Sequence, residues 1–231
     1  MKEPLILLPG MMCDERLFAP QIAAFSAGHA ILNFTPVTGT SMTVFARQVL
    51  DMAPPRFALA GLSMGGIIAM EVIRQAPERV SRVALMDTNP LADPPEKAPI
   101  REQQVEKVRN GGLRRVMREE MKPNYLADGP AKRGILDLCM EMARTLGPEV
   151  FVAQSQALQT RPDQSETLRN FTMPALVLCG QEDQLCPVER HKLMHALIPN
   201  STLAVISGAG HLPTLEQPEQ TNEALRKWLS M

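Results

Sequence analysis

Six short, nearly unbroken apolar runs constrain this chain more than any other feature: "LILLP" at 5–9, "AILNF" at 30–34, "FALAGL" at 57–62, "RVALMD" at 82–87, "ALVLC" at 175–179 and "TLAVI" at 202–206. A strand with one wet face alternates apolar and polar residues, whereas a strand covered on both faces reads as a continuous apolar run. Between the runs lie segments of helical period near 42–52, 64–75, 188–197 and 217–229, and Pro77 and Pro199 stand where a helix must stop. Strands alternating with helices predict an α/β fold. Its expected form is a mostly parallel six-stranded sheet with helices on both faces and right-handed crossovers. At 231 residues and 45% hydrophobic content, one well-buried core is expected.

One interval breaks the rhythm. Residues 88–173 open with the proline-rich link "NPLADPPEKAP" and then show helical patterns near 100–109, 112–121, 131–145 and 148–158, with no convincing strand. Connections between elements usually run about 4–6 residues. This stretch therefore reads as a helical lid insertion over a core formed by 1–87 and 174–231.

Composition excludes several classes. A net charge of -1 gives no global field for nucleic acid or anionic membrane. No apolar run is long enough to span a bilayer, which takes about 18 residues or more. The opening "MKEPLILLPG" is cut by Pro9-Gly10 before it reaches the length of a secretory signal. Cysteines at 13, 139, 179 and 186 are scattered, unlike a disulfide framework, so a reduced, cytoplasmic protein is expected. Cys179, Cys186, His191 and His195 match no common zinc spacing, and no metal is expected.

The chemistry is carried by "GLSMGG" at 61–66. It follows an apolar strand and precedes a helix, the context in which G-x-S-x-G forms a sharp corner that exposes a serine. Glycines on either side remove Cβ atoms that would collide there, and the helix N-terminus favours a developing anion. Ser63 then needs a base and an orienting acid. His211, in "ISGAGHLPTLEQPE", lies on a loop of small residues just past a strand. Asp183, in "GQEDQLCP", also follows a strand, with Glu182 beside it as a weaker candidate and Asp87 at the end of run 82–87 as the rival. An oxyanion hole requires two backbone N–H groups. Met64, after the serine, supplies one; the turn "PGMMC" after the first strand supplies the other, assigned to Met11 with Met12 as fallback.

Taken together, "PG" after the first strand, "GLSMGG", "GQEDQLCP", "GAGHLPTLEQPE" and the final helix ending at Trp228 resemble the α/β-hydrolase superfamily over nearly the whole chain. The layout is similar to small cofactor-free serine esterases such as pimeloyl-acyl-carrier-protein methyl ester esterases and enol-lactonases. The resemblance implies the α/β-hydrolase fold lacking its first two strands, no cofactor, and a Ser63–His211–Asp183 triad acting on a small-molecule acyl substrate. Pro9 stands where the family often has histidine, which puts in doubt a hydrogen bond that steadies the turn. Serine at the corner argues against epoxide hydrolases and dehalogenases, which use aspartate. Carbon–carbon hydrolysis, perhydrolysis and a non-catalytic ligand-binding role stay open. The segment 97–122 carries eight basic residues, interspersed with Glu102, Glu106, Glu119 and Glu120. A basic face there suits an acidic carrier protein or a carboxylate-bearing substrate; intrahelical ion pairs on a solvated face explain it equally well.

Overall fold

The structure, a computed structural model, describes residues 2–231. The strands are β1 (Lys2–Leu8), β2 (His29–Asn33), β3 (Phe57–Leu62), β4 (Val80–Met86), β5 (Ala175–Gly180) and β6 (Ser201–Ile206). They form one all-parallel sheet in the order β2-β1-β3-β4-β5-β6. Between strands run α1 (Ala19–Phe25), α2 (Met42–Met52), α3 (Met64–Gln75) and α8 (Val188–Leu197), with α9 (Pro213–Glu216) and α10 (Pro218–Leu229) closing the chain. The segment joining β4 to β5 folds as α4 (Ala98–Lys107), α5 (Leu113–Val116), α6 (Lys132–Gln159) and α7 (Ser165–Arg169). This is the α/β-hydrolase fold.

The pleat divides the core into two layers. Ile6, Leu8, Phe57 and Leu59 face the side covered by α2 and α3, while Leu5, Leu7, Ala58 and Ala60 face the side that holds Phe18, Leu225 and Trp228. Strands β3 and β5 are buried at every position, as expected of runs covered on both faces. The outer strands β2 and β6 are not, with exposed or half-buried residues along most of their length. Each has a neighbour on one side only, so its apolar run reflects less burial than the sequence implies.

Helix formation follows local chemistry. Ser41 caps α2 by accepting the Val44 N–H at 3.3 Å. The segment 15–25, which shows no clear helical period, forms a helical turn and then α1, because Pro20 lies in the first turn, where its missing N–H costs nothing. The two helical patterns at 131–145 and 148–158 stand as two helical stretches within α6, separated at Gly147, whose φ of 85° lies outside the helical range and suits glycine, with Pro148 opening the second stretch. No helix among the described residues is long and apolar enough to cross a membrane.

The chain leaves β1 toward β2 on one side and returns to place β3 on the other. The crevice at the carboxyl ends of β1 and β3 is therefore a topological switch point, where open parallel sheets bind ligands.

Candidate active site

Among the described residues, three other than glycine have positive φ: Met12 (57°), Ser63 (56°) and Asp87 (44°). They follow the ends of β1, β3 and β4. Such backbone is strained and persists only where its surroundings hold it. At Ser63 the restraints are visible. Its N–H donates to the Met86 carbonyl at 2.8 Å, and the Thr88 hydroxyl donates to its carbonyl at 2.7 Å. A Cβ at Gly61 would strike the Gly65 carbonyl, and one at Gly65 would strike the Leu8 carbonyl. One at Gly66 would come within 2.7 Å of the Thr88 side chain. The glycines thus serve three different approaches: the corner to itself, the helix to β1, and the helix to the end of β4.

Ser63, His211 and Asp183, which come from three separate loops, form one hydrogen-bonded row. The Ser63 hydroxyl donates to His211 Nε2 at 2.9 Å, and His211 Nδ1–H donates to Asp183 Oδ2 at 2.8 Å. This tautomer follows from the ionised carboxylate on the Nδ1 side. Asp183 Oδ1 accepts the N–H groups of Leu185 (2.8 Å) and Cys186 (3.0 Å). Burial works to raise the Asp183 carboxyl, but the His211 ring and these N–H groups outweigh it and hold the group below its usual value. Two further glycines close the row: a Cβ at Gly180 would strike the Gly210 carbonyl, and one at Gly210 would lie 2.7 Å from the Ala127 nitrogen.

Asp87 lies outside the row. It is fully buried, and Oδ1 accepts the Gly180 N–H at 2.8 Å. Burial first, and then the nearby Asp183 charge, push its carboxyl well above the usual range. Glu182 bonds through its backbone, its N–H donating to the Ala209 carbonyl at 2.9 Å.

In the turn after β1, the Met12 N–H is occupied: it donates to Gln154 Oε1 on α6 at 2.9 Å. That removes Met12 as an oxyanion donor. The Met11 N–H and the Met64 N–H at the start of α3 make no hydrogen bond among the described residues, and both residues line the cavity beside Ser63. Gln154 Nε2 donates onward to the Pro36 carbonyl at 2.9 Å, so one buried side chain braces the turn after β1.

Glu216 is a second residue that the sequence reading did not single out. Its carboxylate accepts N–H groups from Gly210 (3.0 Å), Leu212 (2.9 Å) and Ala127 (2.8 Å), clamping the backbone on both sides of His211. Burial raises its carboxyl and the three N–H groups oppose that shift. Its signal was present in "GHLPTLEQPE": an acid one short turn beyond the histidine, set between prolines.

The other candidate ligands are spoken for. His191 Nε2 accepts the Thr88 N–H at 3.1 Å, and burial lowers its pKa to about 4. His195 Nδ1 meets the Ser201 hydroxyl at 2.8 Å. Asp183, Cys186 and His211 cluster closely enough for a metal, but both His211 nitrogens are in the row and burial pushes the Cys186 thiol up, away from the thiolate a metal requires. Cys13 is likewise a buried thiol held protonated by its surroundings.

The family described as "Alpha/beta hydrolase family" matches residues 5–224. In structure, the chain is similar to a thermophilic esterase from Thermogutta terrifontis, solved with malate bound. That match is 29% identical, covers 100% of this chain and 90% of that one, and has a TM-score of 0.90. It also resembles the enol-lactonase from Burkholderia xenovorans LB400 at 20% identity, with a TM-score of 0.89 over 100% of this chain and 93% of that one. Among curated sequences, the pimeloyl-[acyl-carrier protein] methyl ester esterase of Legionella pneumophila is 25% identical over 94% of this chain and 90% of its own length.

Proposed function

The chain belongs to the alpha/beta hydrolase family, and on that premise we propose that it is a serine hydrolase cleaving a carboxylic ester, thioester or lactone through an acyl-enzyme. Its relatives named as esterases support hydrolysis as the reaction. One observation carries the finer reading: the unbroken row Ser63–His211–Asp183, at 2.9 and 2.8 Å, beside two unspent N–H groups. In this mechanism His211 accepts the Ser63 proton as the hydroxyl attacks the carbonyl. Asp183 keeps the imidazole in the required tautomer and stabilises its charged form. The Met11 and Met64 N–H groups take the charge that builds on the carbonyl oxygen; such a donor is worth on the order of 3 kcal/mol in the transition state. His211 then returns the proton to the leaving group, and the second half repeats the steps with water as nucleophile.

The helical segment 88–173 acts in this reading as a lid that selects the acyl group. Tyr125, Met121, Leu158 and Arg161 from it line a cavity of about 380 Å³ that opens onto Ser63. Turnover of a short p-nitrophenyl ester and labelling by a fluorophosphonate probe test the proposal. Ser63→Ala should lose the label and at least about 10³-fold in kcat. Undiminished turnover by purified Ser63→Ala protein overturns it.

A further inference from the structure

The cavity beside Ser63 has an electrically uneven lining. Three cations border it, Lys97, Arg101 and Arg161, and its one acidic lining residue is Glu120. Glu120 is already committed, to Lys107 at 2.8 Å and to the Gln104 amide at 3.3 Å. The two arginines share a single carboxylate. Asp93 receives Arg101 Nε on one oxygen and Arg161 Nη2 on the other, at 3.0 Å. Lys97 has no ion-pair partner among the described residues. One carboxylate cannot neutralise two guanidinium groups, so this wall keeps an excess of positive charge beside the cavity. Burial and the neighbouring Arg101 both pull Arg161 below its usual range, with Asp93 opposing, as expected where positive charge is crowded.

The two arginines differ in freedom. Arg161 is 5% exposed, and its Nε and Nη1 donate to the Leu91 and Leu158 carbonyls at 2.9 and 3.5 Å; it braces the backbone where the segment leaves β4. Arg101 bonds to Asp93 alone and is 17% exposed, so it keeps donors for a ligand. A planar guanidinium with spare N–H groups matches a carboxylate in shape and charge.

We infer that this wall receives an anionic end of the substrate, and that the enzyme's substrates are small esters or lactones of acids that carry a second carboxylate. The inference rests on the serine-hydrolase reading and adds the substrate class. Arg101 and Lys97 bind the distal carboxylate while the ester carbonyl lies over Ser63, and Asp93 with Arg161 forms the frame that aims Arg101.

The test compares monomethyl glutarate and monomethyl adipate with neutral methyl esters of the same chain length, at fixed ionic strength. The half-esters should have kcat/KM higher by about 10- to 100-fold, the worth of a charge-assisted hydrogen bond. Arg101→Gln and Lys97→Gln should each lower that charged-over-neutral ratio, mainly through KM. Adipate should protect Ser63 from a fluorophosphonate probe in the unaltered protein and protect about tenfold less well in Arg101→Gln. This second readout needs no turnover, and Lys97, exposed at the rim, gives a variant that does not depend on Arg101 folding normally. Labelling of Ser63 with no preference for the half-esters and no protection by adipate overturns this inference alone. Failure of Ser63 to label in folded protein overturns the hydrolase reading and this inference together.

Discussion

Two aspartates follow adjacent parallel strands, Asp87 after β4 and Asp183 after β5, and they hold opposite electrostatic states. Both are buried, so burial alone does not separate them. Asp183 meets the His211 ring and two backbone N–H groups, which stabilise its charge. Asp87 meets one N–H, is buried, and faces the Asp183 carboxylate, whose charge and hydrogen bond to the protonated form both raise its carboxyl. Two carboxyl groups this close share one proton more easily than none, and the partners around them decide which holds it. What orients a histidine is therefore the set of donors a carboxylate meets, beyond its place at the end of a strand.

The largest test of this contrast is Asp183→Asn. It keeps the shape but favours the wrong His211 tautomer, and kcat for a short ester should fall by about 10⁴-fold. Asp87→Asn should leave kcat within about threefold, because an amide mimics the protonated acid. Reversal of these two outcomes would make Asp87 the working acid.

Stability under pH sharpens the contrast further. The depressed Asp183 carboxyl contributes stability above its unfolded value of about 3.9, lost as pH falls through its folded value. The raised Asp87 carboxyl runs the other way: its contribution is fullest below about pH 3.9 and declines as pH rises toward its folded value. Asp87→Asn should therefore raise Tm, and raise it more at pH 7 than at pH 4.5. An equal gain at both would show that Asp87 is ionised in the folded protein. A third carboxylate gives a smaller effect. Glu216→Gln leaves at least one N–H near His211 without an acceptor and should cost about 1–3 kcal/mol in urea denaturation. Gln154→Ala frees the Met12 N–H and should lower kcat by less than about tenfold, with KM nearly unchanged.

The same contrast marks how far a sequence can be read. The strands and the Ser63 corner were legible because neighbouring residues enforce them: apolar runs, paired glycines, a helix start. His211 and Asp183 were reachable because each follows such a run. Edge exposure of β2 and β6 was not, since it depends on where a strand sits in the sheet. The break at Gly147-Pro148, by contrast, was legible, because a glycine followed by a proline stops one helix and starts the next. Gln154 and Glu216 escaped for a different reason. Their partners lie up to 142 residues away, and no local pattern announces a side chain whose role is to receive a distant N–H.

Gln154 ties the middle of α6 to both the turn after β1 and the Pro36 carbonyl. A helix tethered in this way behaves as a fixed wall. Swinging it outward would break both bonds and release the turn after β1, which in the proposed mechanism carries the Met11 donor. Ile100 and Leu185 line the same cavity yet remain 56% and 40% exposed, so its mouth offers a greasy threshold that leaves the Gln154 tether untouched.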